Sequence, residues 1–163
     1  MFINQKTERR VMFEVFDNFL DLEDFNNLRY TITNDEFPWY YMPGVCFPDD
    51  EFFHFSNVVD KDNPPMDIVK VLDKLNAKKL IRCKINLSTR TVFNRFTGWH
   101  NDFENITTAI LYINTCNGYT KFKKGGKVMS VANRVVVFDS NLKHAAVTHT
   151  DEKRRMVINF NYV

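Results

Sequence analysis

A chain of 163 residues with a formal charge of +2 is long enough for one ordinary globular domain and too short for two. Hydrophobic residues make up 44% of the sequence and aromatic residues 15%, which argues against a disordered chain. The basic clusters at 121–127 and 153–155 are short, so the charge alone does not indicate a nucleic-acid partner. We therefore expect a single domain over residues 1–163.

The cysteine spacing and the hydropathy of the sequence indicate the cellular compartment of the protein. The three cysteines, Cys46, Cys83 and Cys116, lack CxxC spacing, which excludes a zinc finger and fits reduced thiols. The N-terminus has no continuous apolar stretch after its basic residues, and no run of about eighteen apolar residues occurs anywhere. We expect a cytoplasmic protein with no membrane partner.

The N-terminal half predicts one strand and two helices. RVMFEVFDNF at 10–19 has the composition of a strand, and DLEDFNNLRYTI at 21–32 predicts a helix with Asp21 as its N-cap. PPMDIVKVLDKLNA at 64–77 predicts a second helix, with proline at its start and apolar residues at helical spacing. Between the helices, PWYYMPGVCFPDDE at 38–51 contains several prolines and a glycine, which predicts a long loop.

From residue 80 onward the pattern changes to short runs that are typical of β-strands. Six strands in about eighty residues predict a sandwich or a barrel, with the two helices available to cover one sheet. The runs are LIRCKINLS, TTAILYINT, GYTKFK, KVMSVA, RVVVFDS and MVINFNYV.

Three of these runs carry one polar and one apolar side, because successive side chains of a strand point to opposite faces. The polar sides either meet solvent or line a cavity inside the fold, and the alternation by itself leaves both possibilities open. The polar sides carry Arg82, Lys84, Asn86 and Ser88 in the first run, Thr108, Tyr112 and Asn114 in the second, and Arg155, Asn159 and Asn161 in the last.

A histidine and an aspartate, His100 and Asp102, stand one residue apart shortly before the run TTAILYINT. Residues i and i+2 of a strand point the same way, so this pair can converge on one ion. His144 follows the run RVVVFDS and supplies a third ligand, with His149 as our second choice. Two imidazoles and one carboxylate are the set that a mononuclear Fe(II) oxygenase uses, whereas a structural zinc site closes its shell with four ligands.

The joint pattern resembles the iron(II)- and 2-oxoglutarate-dependent dioxygenases, particularly their prolyl-hydroxylase-like branch. The resemblance covers residues from about 80 to 163 and implies a mainly β fold with flanking helices, the double-stranded β-helix or cupin-like jelly roll. The matching elements, in chain order, are His100-Asn101-Asp102, Tyr112-Ile113-Asn114, Gly118-Tyr119-Thr120, the run from Asn133-Arg134 to Phe138-Asp139-Ser140, His144, and Arg154-Arg155.

This resemblance implies a catalytic metal centre and a cosubstrate. Its Fe(II) ligands would be His100, Asp102 and His144, which also makes these three the catalytic residues. With O₂, 2-oxoglutarate would be decarboxylated to succinate and CO₂ while a substrate C–H bond is hydroxylated.

The resemblance also implies a basic residue for the far carboxylate of 2-oxoglutarate. Arg155 and Arg154 compete for this role, and we favour Arg155 because it shares the polar side of its strand with Asn159. Tyr112 is implied to help hold the same carboxylate, and Asn86 and Asn159 are expected to line the pocket.

Two departures from related patterns bear on the substrate. Oxygenases that repair alkylated nucleic acid usually show Arg-x-Asn-x-Thr-x-Arg after the distal histidine, and the sequence from Arg155 to Asn159 does not match it. The loop STRTVFNRFTGW at 88–99 has no tyrosine where prolyl hydroxylases often use one. The expected substrate is thus a peptidyl residue, an amino acid or a small metabolite, and not nucleic acid.

Two alternatives to this enzyme stay open. One is a non-catalytic jelly-roll binding module, in which the three candidate ligands would not meet. The other is a cupin-like metalloprotein without a keto-acid cosubstrate, which would not need Arg155.

Overall fold

The structure, a computed structural model, describes residues 12–45 and 51–163. Cys46, the start of the first predicted strand and part of the predicted loop at 38–51 lie outside the described residues. The helices are α1 (Leu22–Thr33) and α2 (Met66–Lys74). The strands are β1 (Phe13–Phe16), β2 (Tyr40–Met42), β3 (His54–Val59), β4 (Leu80–Thr89), β5 (Thr107–Tyr112), β6 (Tyr119–Phe122), β7 (Gly126–Met129), β8 (Arg134–Asp139), β9 (His144–Val147) and β10 (Arg154–Tyr162).

The strands form two antiparallel sheets. The larger sheet has seven strands in the order β1-β8-β5-β10-β4-β3-β2, and the smaller sheet has three in the order β7-β6-β9. A cluster of buried side chains from both sheets, including Ile110, Phe122, Val128 and Phe138, packs between them. The predicted jelly roll with flanking helices is confirmed.

The two helices cover the outer face of the larger sheet. Apolar residues of α1 and α2 pack against the apolar sides of β4, β5 and β10, and Ile32, Val71, Ile85, Leu111 and Ile158 are among the residues of this core. Because strand side chains alternate, the polar sides of the same strands must face the other way, toward the smaller sheet. The helices thus leave the inner face of the larger sheet for the site described below.

Three strands were not predicted from the sequence. β2 lies inside the stretch that we expected to be a loop, where its three residues pair with β3 at the edge of the larger sheet. β3 and β9 carry histidine, serine, asparagine or alanine among their apolar residues, so their composition gives only a weak strand signal. Pairing with neighbouring strands decides their conformation.

Two further findings concern the cysteines and the length of the helices. Cys83 and Cys116 are buried and form no disulfide among the described residues. None of the helices in the described ranges has the length and apolar character needed to cross a bilayer.

Asn133 joins the segment before α1 to the larger sheet. Its side chain accepts a hydrogen bond from the backbone N–H of Leu20 at 2.9 Å and donates one to the Leu20 carbonyl at 2.8 Å. Its backbone has φ of 62°, a left-handed conformation that asparagine tolerates better than most residues, and its N–H donates to the carbonyl of Tyr112 at 2.9 Å. The side chain of one buried residue therefore fixes the segment before α1, while its backbone bonds to the end of β5.

We expect Asn133→Ala to lower the free energy of unfolding by about 2 to 4 kcal/mol, because it strains the left-handed backbone and leaves buried backbone groups without partners. The matched control is Asn105→Ala, since Asn105 has a similar φ of 59° but is exposed. Urea unfolding of both variants separates the two contributions. Equal losses would show that the buried hydrogen bonds contribute nothing measurable.

Candidate active site

Backbone pairing brings the two histidines of the site together. The segment at 96–100 runs antiparallel to β9, with bridge pairs between Phe96 and Val147 and between His100 and His144. The His100 N–H donates to the His144 carbonyl at 3.0 Å, and the His144 N–H donates back at 2.9 Å. The two rings lie on the same side of this pair, with their centroids 4.5 Å apart.

Asp102 completes a group of three candidate metal ligands. One ligand atom from each of His100, Asp102 and His144 lies within 4.8 Å of the others. After a small adjustment of the side chains these atoms can share one ion. His149, our second choice for the third ligand, lies beside Gly118 and is not part of this group.

The surroundings of both rings suit metal binding through Nε2. The Nδ1 atom of His100 lies 3.4 Å from the Gly98 carbonyl oxygen, and that of His144 lies 3.1 Å from the Leu142 carbonyl oxygen. A ring that is protonated at Nδ1 donates to its carbonyl and carries the lone pair on Nε2. Burial, and then the neighbouring His100, lower the pKa of His144, which favours the neutral form that a metal ligand needs.

Three donors hold the carboxylate of Asp102. Arg82 approaches Oδ1 at 3.0 Å, while the side-chain amides of Asn159 and Asn161 donate to Oδ2 at 2.8 and 3.3 Å. Burial is the largest single influence on the pKa of Asp102 and raises it, but Arg82, the two histidines and Asn159 together outweigh burial. The pKa therefore lies below its usual value, and the carboxylate stays ionised at neutral pH.

A cavity of about 420 Å³ adjoins these ligands. The polar sides of β4 and β10 line it and do not form an open solvent-facing surface. Asn86, Thr120, Arg155 and Asn159 are among its wall residues, together with His100, Asp102 and His144. Tyr112 does not belong to the wall but lies directly behind Thr120, to which its hydroxyl donates at 2.7 Å.

Arg155 is buried at one end of this cavity, with 6% of its surface exposed. Its Nε donates to the Ser130 hydroxyl at 3.0 Å, and one terminal nitrogen donates to the Thr120 hydroxyl at 3.4 Å. Its guanidinium carbon lies 5.6 Å from the centre of the Tyr112 ring. Arg154, the competing candidate, is exposed and points to the opposite side of the strand.

The charge of Arg155 lacks a carboxylate partner among the described residues. Burial lowers the pKa of the guanidinium, but arginine stays charged in proteins. A buried charge without a counter-ion is costly, and a carboxylate that bonds two guanidinium nitrogens at once offsets that cost. This end of the cavity therefore has the chemistry of an anion site.

Gly118 allows Arg155 to take this position. A Cβ atom at residue 118 would lie 2.8 Å from Cδ of Arg155, 3.1 Å from Cβ of His149 and 3.1 Å from the Val147 carbonyl oxygen. The close approach of the Arg155 side chain therefore requires glycine at this position.

Several residues that contact the cavity wall or belong to it had no role in the sequence-based prediction. Thr120 and Ser130 contact Arg155, and the only earlier signal was the place of Thr120 in the Gly118-Tyr119-Thr120 element. Arg82 and Asn161 hold Asp102, although the alternation of β4 and β10 indicated only which side they share. Their roles depend on Asp102, which the loop before β5 brings next to them, and strand alternation does not predict that contact.

Solved structures resemble this one over most of the chain, whereas no protein-family model and no curated protein matches the sequence. A prolyl-4-hydroxylase from Pseudomonas putida matches with a TM-score of 0.68 at 14% identity, over 92% of this chain and 91% of that one. HygX from Streptomyces hygroscopicus, with nickel and 2-oxoglutarate bound, matches with a TM-score of 0.68 at 10% identity, over 93% and 83%. This chain has the fold of the 2-oxoglutarate and Fe(II) oxygenases.

A further solved structure with this oxygenase fold belongs to an enzyme with a different activity. The carbocyclase SnoK from nogalamycin biosynthesis, described as non-heme and α-ketoglutarate dependent, matches with a TM-score of 0.68 at 12% identity, over 94% of this chain and 80% of that one. A hydroxylase and a carbocyclase thus share one fold, and identities this low establish the fold alone. Function has to be argued from the site.

We expect Gly118→Ala to lower the free energy of unfolding by about 1 to 3 kcal/mol, because the added methyl group overpacks against Arg155. Removing the Arg155 side chain relieves the closest of these contacts, so the same substitution should cost less in an Arg155→Ala background. Urea unfolding of the two single variants and the double variant gives the coupling. Additive losses would show that Gly118 does not limit the position of Arg155.

Proposed function

We propose that this protein is an Fe(II)- and 2-oxoglutarate-dependent dioxygenase that hydroxylates a C–H bond of a small-molecule or peptidyl substrate. One observation carries the proposal. A single cavity joins the His100, Asp102 and His144 group to the buried charge of Arg155, which has no ion pair among the described residues. This combination provides for a metal and for a dianionic cosubstrate in the same space.

The donor set fits Fe(II). Two imidazoles and one carboxylate on one side of an ion leave positions open for a chelating cosubstrate and O₂, which is the ligand arrangement of mononuclear iron oxygenases. When bound, iron with O₂ and 2-oxoglutarate supplies the oxidising chemistry, which yields succinate, CO₂ and a hydroxylated substrate. The side chains of Arg82, Asn159 and Asn161 keep Asp102 in its orientation. A carboxylate offers about four acceptor sites, so one remains for the ion.

Arg155 would bind the far carboxylate of 2-oxoglutarate with two parallel hydrogen bonds. Thr120 adds a donor beside it: its oxygen accepts from both Tyr112 and Arg155, so its own hydroxyl proton can point to the carboxylate. Tyr112 would thus act through Thr120 and through its ring below the guanidinium. Ser130 fixes the guanidinium from behind.

Asn86 and Asn159 complete the proposed pocket. Both line the cavity, and we predict that they border the cosubstrate. Asn159 has a second task, because its amide N–H donates to Asp102.

The two alternative functions make different demands on the same residues. A cupin-like metalloprotein without a keto acid needs the three ligands but gives no reason for the charge of Arg155. A binding module without a metal does not require the side chains of His100, Asp102 and His144 to lie together. We therefore prefer the enzyme, and the next two experiments distinguish the three functions.

Asp102→Ala and His144→Ala should each weaken Fe(II) binding by at least about a hundredfold, because two protein ligands rarely hold a first-row ion at micromolar concentration. Anaerobic equilibrium dialysis measures the affinity, and thermal unfolding checks that each variant is folded. His149→Ala is the matched control, since this histidine is buried outside the group. Parental Fe(II) affinity in both ligand variants would contradict the proposed metal site.

Anaerobic titration of 2-oxoglutarate into the Fe(II) protein should produce the weak visible charge-transfer band of a chelated keto acid. Arg155→Met should weaken 2-oxoglutarate binding by about a hundredfold, because it removes a buried bidentate contact worth roughly 3 kcal/mol. Arg154→Met is the control and should leave the titration unchanged, since Arg154 is exposed.

The outcome of this titration also separates the alternatives. Bound iron without the band would favour the cupin-like metalloprotein, and a chain that binds no iron would be a binding module. If Arg154→Met and not Arg155→Met weakened the band, the assignment of the carboxylate site would be wrong.

A further inference from the structure

The cavity wall holds more positive than negative charge. Arg82 is paired with Asp102, and Arg95 is paired with Glu51. Arg155 is assigned above to the cosubstrate. This leaves Lys84, which forms no ion pair with any residue in the described ranges. The charged side chains that line the cavity are Glu51, Arg82, Lys84, Arg95, Asp102 and Arg155.

Lys84 and Arg155 point toward different sides of the cavity. The Lys84 ammonium lies 3.3 Å from Nε2 of His54, which belongs to β3 at the edge of the larger sheet. The Arg155 guanidinium instead contacts Thr120 of β6 and the Tyr112 ring of β5. A cosubstrate that spans from Arg155 to the metal uses both of its carboxylates, so it does not match the charge on the β3 side.

We propose that Lys84 binds a carboxylate of the substrate that is to be oxidised, and that this substrate is an α-amino acid or a close derivative. The proposal rests on the function proposed above and names the substrate class of the same site. Lys84 is half-buried, and burial, with Arg82 as the next cause, lowers its pKa, so a bound anion would stabilise its charged form.

Asn159 indicates that the substrate also carries a hydrogen-bond donor. It is the cross-strand partner of Lys84, and its Oδ1 is buried without a hydrogen-bond partner among the described residues. The orientation of its amide is fixed, because Nδ2 donates to Asp102 at 2.8 Å. At neutral pH 2-oxoglutarate is a dianion with acceptors only, so it cannot satisfy this oxygen. An ammonium, amide or hydroxyl group of the substrate can.

The charge at this side of the cavity favours a carboxylate over a phosphate. A phosphate monoester carries nearly two negative charges at neutral pH, and only one unpaired cation is available beside the Asp102 carboxylate. A carboxylate matches that single charge. An α-amino acid brings a carboxylate to Lys84 and an ammonium to the neighbouring Asn159, and an ammonium forms a stronger, charge-assisted hydrogen bond than a hydroxyl or an amide.

The test uses the full chain loaded with Mn(II), a redox-inert substitute for iron, and with saturating 2-oxoglutarate. The twenty common L-amino acids are screened by thermal shift, and calorimetry then gives the affinity of each one that binds. We expect Lys84→Met to weaken binding of such an amino acid by about tenfold or more, because a charge-assisted contact is lost. The 2-oxoglutarate affinity of the same variant should stay within about twofold of the parent.

Two controls make the effect specific. Lys121→Met removes an exposed lysine of β6 outside the cavity and should change neither affinity. The carboxamide of the same amino acid should bind the parent about tenfold more weakly than the acid, but should bind Lys84→Met as well as the acid does. That loss of discrimination would assign the carboxylate to Lys84.

Three results would overturn the inference. No binding of any amino acid to the loaded parent would exclude the substrate class, and tighter binding of phosphorylated than of plain amino acids would replace the carboxylate with a phosphate. A loss of 2-oxoglutarate affinity in Lys84→Met that matches the loss in Arg155→Met would make Lys84 a second cosubstrate cation. If the parent does not bind 2-oxoglutarate, the proposed function is wrong. Amino-acid binding that still depends on Lys84 would then support the carboxylate site at Lys84 without the oxygenase function.

Discussion

The backbones of residues 96–100 and β9 run side by side, and the hydrogen-bonded pair between His100 and His144 is the contact on which the site depends. The pairing places two residues that are far apart in the chain directly opposite each other. It also sets the position of Asp102, which follows His100 and meets the side chains of Arg82 and Asn159 from the larger sheet. The candidate metal centre therefore lies where the two sheets approach each other.

Burial of charge is the second constraint. The inner face of the larger sheet carries Arg82, Lys84 and Arg155, and a fold that places cations beside a cavity needs anions to match them. Asp102 matches Arg82 within the chain. For the other two cations the described residues supply no carboxylate, which is why we propose that bound molecules supply it. The same reasoning links the proposed cosubstrate and the proposed substrate.

The periodicity of the strands predicted a large part of this arrangement. The polar and apolar sides of β4 and β10 were correctly separated, because side-chain direction in a strand follows from sequence position alone. The preference for Arg155 over Arg154 came from the same rule, and the structure places Arg155 in the cavity wall and Arg154 on the surface. β2 was missed because prolines flank it, and β3 and β9 because polar residues or alanine interrupt their apolar residues. Pairing with neighbouring strands decides their conformation.

The sequence by itself determined a sandwich or barrel of strands, the two covering helices and the side of each long strand that is polar, because these features follow from local periodicity and composition. The more specific jelly roll came from the resemblance to the oxygenase family. The sequence also supplied the order of residues from His100 to Arg155 that resembles an iron oxygenase. Only the tertiary structure decided that the polar sides line a cavity, that His149 stays outside the metal group and that Thr120 lies between Tyr112 and Arg155. These facts depend on contacts between residues distant in sequence, and no local pattern specifies which distant residue a side chain will meet.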